Sequence, residues 1–125
     1  MMIYHIIPRL EWLAAQQQGS YTPPSLHNEG FIHCSTWDQV LRVADAFYRE
    51  VPDLLLLCID PARLQADLRW EAPAHPDGHD RPPTNDDEQF PHIYGALNLD
   101  AVVQTLPLKK KADGLHSLPE KPPDD

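Results

Sequence analysis

Cysteine, glycine and basic side chains are scarce in this chain of 125 residues, and each scarcity excludes a class of protein. Two cysteines, Cys34 and Cys58, are too few for a disulfide framework, and they form no C-x-x-C pair. The five glycines form no G-x-G-x-x-G fingerprint of dinucleotide binding. Ten Lys and Arg face nineteen acidic residues, and the net charge of −9 excludes broad binding to nucleic acid or anionic membranes.

Long apolar runs are also missing. No run approaches the roughly 20 residues that a membrane-spanning helix needs. The start of the chain, Met1 to His5, lacks the basic and apolar regions of a signal peptide. We therefore expect a cytoplasmic protein whose two cysteines are free and buried.

The residues that are present indicate one domain. Hydrophobic residues make up 42% of the chain, which is enough for a core. Proline and acidic residues concentrate from Ala72 to Gln89, where we expect a long exposed loop. The end of the chain, 109–125, is rich in Lys, Pro and Asp and is predicted to be a disordered tail. The predicted folded domain therefore spans 1–108.

Apolar patterns predict an α+β fold, with a small sheet of mixed or antiparallel strands and two main helices. The stronger helix begins at Ser35, its expected N-cap, and ends near Glu50. The weaker helix carries Leu10, Leu13 and Ala14 at helical spacing and ends at Gly19. Strands are predicted at 3–7, 30–34, 54–59, 68–71, 90–94 and 102–106. The continuous apolar run 54–59 indicates a strand that is covered on both faces.

Three histidines lie on three of these predicted strands and could meet in one cleft. His5 is either a hydrogen-bonded structural residue or a site residue, and the sequence leaves both open. His33 lies at a strand end, before a helix N-terminus that favours anionic groups such as phosphate. His92 follows the acidic loop and shares a strand face with Tyr94.

Two carboxylates and one thiol complete the candidates. Glu71 and Glu88 adjoin strands at the two edges of the acidic loop, so either could act with the histidines. Cys34 points away from His33 on its strand, so we interpret it as small core filler rather than as a nucleophile.

Four segments carry a resemblance to a known family. They are Ile3-Tyr4-His5-Ile6, Gly30-Phe31-Ile32-His33-Cys34-Ser35, Trp70-Glu71 and Phe90-Pro91-His92-Ile93-Tyr94-Gly95. Together they resemble the bacterial domain of unknown function 952, over Met2 to about Leu106. That family is similar to the ADP-ribosyltransferase-like superfamily, which implies a small split β-sheet fold with a cleft between two small sheets that binds NAD.

The resemblance implies roles for particular residues. His5, in its Tyr4-His5 context, would hydrogen-bond the ribose on the nicotinamide side. His33 and Ser35 would lie against the nicotinamide or a phosphate, as in RNA 2′-phosphotransferases, and Tyr94 would line the same site. His92 stands where the transferases have their late catalytic Glu, which leaves Glu88 and Glu71 as the candidate carboxylates. The implied activity is binding of NAD or another phosphorylated nucleotide, with ADP-ribosyl transfer or phosphotransfer and no metal.

Two other hypotheses remain open from the residues alone. His5, His33 and His92, with Glu88, have the ligand types of a divalent-metal site, although no short His spacing supports one. A non-enzymatic protein could instead use its acidic loop to bind a basic partner.

Overall fold

A computed structural model of the chain describes residues 1–72 and 88–123. Three α-helices are present in these ranges: α1 Arg9–Gln18, α2 Pro24–Asn28 and α3 Trp37–Phe47. The strands are β1 Ile3–Pro8, β2 Ser20–Tyr21, β3 Ile32–His33, β4 Leu54–Ile59, β5 Asp67–Glu71, β6 Phe90–Tyr94, β7 Leu97–Asn98, β8 Val102–Lys110 and β9 His116–Ser117. The α+β prediction is confirmed, and every strand pair in the described residues is antiparallel.

The strands form two main sheets that are split from each other. One sheet has the order β1-β4-β8-β9 and the other has the order β3-β6-β5. In the part of the chain that the structure describes, one isolated antiparallel bridge joins them, where the backbone groups of Tyr4 and Ser35 exchange two hydrogen bonds of 2.8 Å. Beyond this bridge the edge of β1 separates from the second sheet, which leaves room for a cleft.

Strand β4 of the larger sheet is buried on both faces, as its apolar run predicts. Alternate residues of β4 contribute to two separate apolar clusters. Leu57 belongs to the cluster that faces α1 and the second sheet, whereas Leu56 belongs to the cluster under α3. Both side chains are fully buried. β4 is therefore a central strand between two packed layers.

Helix α3 covers one face of this sheet. Its inner residues Val40 and Ala44 are fully buried, as the sequence predicts. The N-cap is Thr36 rather than the expected Ser35, and the Gln39 side chain accepts a hydrogen bond of 3.0 Å from the Thr36 backbone N–H. Ser35 does not cap the helix, because its backbone belongs to the bridge with Tyr4.

Helix α1 forms where it was predicted but buries a different face. Gly19 ends it in the left-handed region, at a φ of 87°, and donates its N–H to the carbonyl of Ala15. Trp12 and Ala15 face the core, whereas Leu10 and Leu13 are 78% and 48% exposed. The helical spacing of Leu10 and Leu13 therefore does not mark the buried face of α1, because the large Trp12 ring packs into the core cluster instead.

The ordered chain continues past the predicted limit at Leu108. Lys109 and Lys110 lie in β8, and a turn leads to β9, whose His116 is only 1% exposed. The Asp45 carboxylate on α3 accepts hydrogen bonds from both the backbone N–H and Nδ1 of His116, at 2.7 and 2.9 Å. The prediction of a disordered tail from residue 109 is corrected here, because this buried contact anchors the segment.

The predicted acidic loop lies mostly outside the described residues, which include only its two ends, Ala72 and Glu88-Gln89. The helices in residues 1–72 and 88–123 are all too short or too polar to cross a membrane.

Candidate functional site

A cleft of about 460 Å³ lies over the edge of β1. One end is bounded by α1 and the second half of α3, and the other end by the 23–25 segment, β3 and β6. Of the predicted site residues, the cleft is lined by Tyr4, His5, His33, Ser35 and His92. The structure therefore brings the three predicted histidines to one cavity.

His5 lies in the wall of this cleft with both ring nitrogens engaged. Its Nδ1–H donates to the carbonyl of His33 at 2.6 Å, and its Nε2 accepts from the hydroxyl of Tyr21 at 3.0 Å. The carbonyl can only accept, which fixes the Nδ1–H tautomer. The pKa of His5 is lowered from 6.5 to about 4, mainly by burial, against which the hydrogen bond to the His33 carbonyl acts, with a smaller lowering by the charge of His33. His5 is therefore neutral at neutral pH and holds the backbone of His33 in place.

His33 extends from β3 towards the cleft and is half-buried. Its Nε2–H donates to the Glu29 carboxylate at 3.0 Å. The register of β3 against β6 places His33 directly opposite His92, and their ring centroids are 5.6 Å apart. The two histidines are thus cross-strand neighbours, which the two motifs alone did not reveal.

His92 forms a dyad with Glu71 that a tyrosine extends. The Nδ1–H of His92 donates to Oε1 of Glu71 at 2.8 Å, and the Tyr94 hydroxyl donates to the same oxygen at 2.6 Å. The Tyr94 hydrogen bond, followed by the His92 bond, lowers the pKa of Glu71. The Glu71 side chain is therefore a carboxylate at neutral pH, and it acts as acceptor for both donors.

The imidazole of His92 is held in one orientation. It is 2% exposed and stacks on Phe31, with centroids 4.2 Å apart and planes 22° from parallel. Burial lowers the pKa of His92, although the hydrogen bond to Glu71 partly opposes this. With Nδ1–H donated to Glu71, the neutral ring keeps the lone pair of Nε2 as a proton acceptor.

Glu88, the other predicted carboxylate, lies apart from this dyad. It is bound to α3 by both terminal nitrogens of Arg42, and Nε2 of Gln39 donates to it at 3.0 Å. The Arg42 hydrogen bond is the main cause of a lowered pKa of Glu88. Glu88 does not line the cleft. Its contacts therefore attach the end of the acidic loop to the helix.

The remaining candidates lie at the edges of the site. Tyr4 packs in the cluster under α3, with its ring edge to face with Trp37 at 5.2 Å, and Ser35 is 4% exposed. Cys34 is a buried free thiol in the opposite cluster, where burial raises its pKa, and it also contributes to the lining of the cleft. Tyr94 reaches the site through Glu71, and the guanidinium of Arg69 lies 4.3 Å from its ring centroid.

Sequence reasoning missed three residues that shape the site. Tyr21 completes the hydrogen bonds of His5, Glu29 pairs with His33, and Phe31 stacks on His92. Glu29 and Phe31 lie within four residues of His33, so their proximity was a usable signal. The sequence around Tyr21 contained no such signal, because Tyr21 is brought next to His5 on β1 only by the fold.

The cleft carries negative charge. Its lining among the described residues contains the carboxylates of Glu11 and Glu29 and no Lys or Arg. Within residues 1–72 and 88–123, no three His, Cys, Asp or Glu side chains are grouped so that they could hold a metal ion. The metal hypothesis therefore gains no support from this part of the chain. The acidic-loop hypothesis concerns residues outside the described ranges and stays a prediction.

The described residues thus form a small mixed α+β domain with antiparallel sheets and a His-lined cleft. The chain belongs to the family described as "Protein of unknown function (DUF952)", whose model matches residues 6–105. The predicted membership is thereby confirmed. No curated protein matches the chain.

Solved structures of one relative match nearly the whole chain. The crystal structure of protein CC0527 from Caulobacter crescentus, a structural genomics target, is 32% identical. The match covers 94% of this chain and 94% of that chain, with a TM-score of 0.76. The solution NMR structure of CC0527 is also 32% identical, covers 91% and 90% of the two chains, and has a TM-score of 0.71. The fold described above is therefore shared with a protein solved by two experimental methods.

Proposed function

We propose that the cleft is the active site of an enzyme that acts on a small molecule, with Nε2 of His92 as the general base. The hydrogen bonds that converge on Oε1 of Glu71, from Nδ1 of His92 and the hydroxyl of Tyr94, carry the proposal. A carboxylate that is itself held by a tyrosine orients the ring and fixes its tautomer, which is the arrangement that a proton-transferring histidine requires.

The Glu71 carboxylate performs two tasks in this proposal. It keeps the proton on Nδ1, so that Nε2 can accept one from a bound hydroxyl, amine or water. It then stabilises the imidazolium that forms, because the negative charge is already in place at 2.8 Å. His5 acts indirectly, since its bond to the His33 carbonyl positions the strand that faces His92.

For the substrate, we propose NAD or another phosphorylated nucleotide, with ADP-ribosyl transfer or phosphotransfer as the reaction. Support comes from the two antiparallel sheets, which are joined by the Tyr4–Ser35 bridge and have a cleft beside it, as in the ADP-ribosyltransferase-like arrangement. The carboxylates in the lining oppose phosphate groups inside the cleft. The sugar and base would therefore lie inside, against His33 and Ser35, with the phosphates at the mouth.

A cytoplasmic location remains part of this proposal. The thiols of Cys34 and Cys58 are free and buried, which fits a reducing compartment.

Ligand-dependent melting and turnover test the proposal. NAD, ADP-ribose and an RNA oligonucleotide with a terminal 2′-phosphate should be added separately, because a ligand at 100 times its Kd stabilises the fold by about 2.7 kcal/mol. We expect at least one to raise the melting temperature. Its conversion, followed by chromatography, should fall about 100-fold or more in His92→Gln.

The matched control is His27→Gln, which changes an exposed histidine outside the cleft and should leave conversion unchanged. Failure of all three compounds to shift the melting temperature at millimolar concentration would refute the nucleotide assignment. Conversion that is unaffected by His92→Gln would refute the role of the dyad.

A further inference from the structure

We propose that the end of the cleft between α1 and α3 is a subsite for an organic cation, such as an amidinium or alkylammonium group on an aromatic or aliphatic ligand. This inference rests on the proposed function, because it names the chemistry of one part of the molecule that the active site would bind. The subsite is formed by Glu11, Tyr21, Phe47 and Tyr48, and none of these residues belongs to the Glu71–His92 dyad.

The first argument is the chemistry of the wall. Three aromatic residues line this end of the cleft, together with the aliphatic side chains of Val43 and Val51. Aromatic faces attract cations through the negative charge of the ring face, by about 0.5–2 kcal/mol depending on desolvation. Apolar walls also favour an organic ion over a small, strongly hydrated metal ion.

The second argument is the position of one carboxylate. Glu11 is on the first turn of α1 and lines the cleft between that helix and α3. Tyr21 and Tyr48 line the same cleft, and burial, followed by the charge of Glu11, raises the pKa of both tyrosines. A cation bound here would meet aromatic surface and an opposite charge together.

The third argument is the lack of competing positive charge in the described lining. That lining contains no Lys or Arg, and burial lowers the pKa of both His5 and His92, so these rings stay neutral at neutral pH. Arg9, the basic residue nearest in sequence, pairs with Asp53 at 3.0 Å. Glu29 pairs with His33 at the other end. Glu11 is thus the carboxylate that remains for a cationic ligand at this end.

Three probes of nearly identical shape test the subsite on the whole protein: benzamidine, benzamide and benzoate, which are cationic, neutral and anionic at neutral pH. Binding should be measured by NMR titration at low salt. We expect benzamidine to bind about tenfold more tightly than benzamide, and benzoate to bind most weakly. Added salt should reduce the difference.

Variants show whether the preference comes from Glu11. Glu11→Gln should bring benzamidine to the affinity of benzamide, whereas the matched control Asp67→Asn, on β5 outside the cleft, should keep the tenfold preference. The preference should also survive His92→Gln, so loss of turnover and loss of cation binding can be told apart. Equal affinities for the three probes, tightest binding of benzoate, or no binding of any probe would overturn the proposal.

Discussion

Lowering the pH from neutrality to about 4 should remove about 3 kcal/mol of unfolding free energy through His5 alone. In the unfolded chain His5 has its ordinary pKa of 6.5, so it binds a proton as the pH falls below that value. In the folded protein, burial lowers the pKa to about 4, and the ring stays neutral until the pH reaches that range. The stability that the folded protein gains from a neutral His5 ring is therefore complete above pH 6.5, and it is lost as the pH falls from 6.5 towards 4.

Urea denaturation at several pH values measures this loss. Other acidic and histidine groups also titrate in this range, so the comparison must be between the wild type and His5→Gln. The Gln amide can still donate to the His33 carbonyl and accept from Tyr21, but it binds no proton. The unfolding free energy of the wild type should fall more steeply, by up to about 1.4 kcal/mol per pH unit.

The control for His5 is His27→Gln, because His27 is exposed on α2. This variant shows what the removal of one exposed imidazole does to the pH curve. A His5→Gln curve parallel to that of the wild type would mean that His5 takes up its proton equally in both states, which would contradict its two buried hydrogen bonds.

Truncation of either Leu56 or Leu57 to Ala should cost about 3–4 kcal/mol of unfolding free energy. The two side chains point to opposite faces of β4, and each is fully buried in a different apolar cluster. The cost should therefore be similar on both faces. A strand with one solvated face would tolerate one of the two substitutions.

The matched control is Leu10→Ala, which removes the same atoms from a side chain that is 78% exposed. It should change the unfolding free energy by less than about 0.5 kcal/mol in chemical denaturation. A cost below about 1 kcal/mol at Leu56 or Leu57 would contradict the two-layer packing that holds β1 under the cleft.

Local patterns predicted the parts of the fold in which neighbours along the chain decide the structure. The apolar run of β4, the amphipathic face of α3 and the stop at Gly19 each follow from a few adjacent residues. The face that α1 buries does not follow from adjacent residues, because Trp12 belongs to a core cluster whose other members are mostly distant in sequence. The same holds for β9, whose buried His116 depends on Asp45, 71 positions earlier.

The candidate site shows a similar division. The motifs identified His33, His92, Glu71 and Tyr94, since strand alternation places His92 and Tyr94 on one face. The sequence did not distinguish Glu71 from Glu88, because both adjoin the acidic loop. The pairing of β5 with β6 brings Glu71 next to His92. Glu88 is instead hydrogen-bonded to Arg42 and Gln39 on α3.

The protonation of His92 tests the central claim most directly. Long-range ¹H–¹⁵N NMR across a pH titration reports the tautomer and the pKa of that ring in the wild type and in Glu71→Gln. The account predicts a proton on Nδ1 and none on Nε2 at neutral pH, with a pKa below 6.5 that falls further in Glu71→Gln, because the Glu71 hydrogen bond raises it. A proton on Nε2, or a pKa that does not change in Glu71→Gln, would contradict the account.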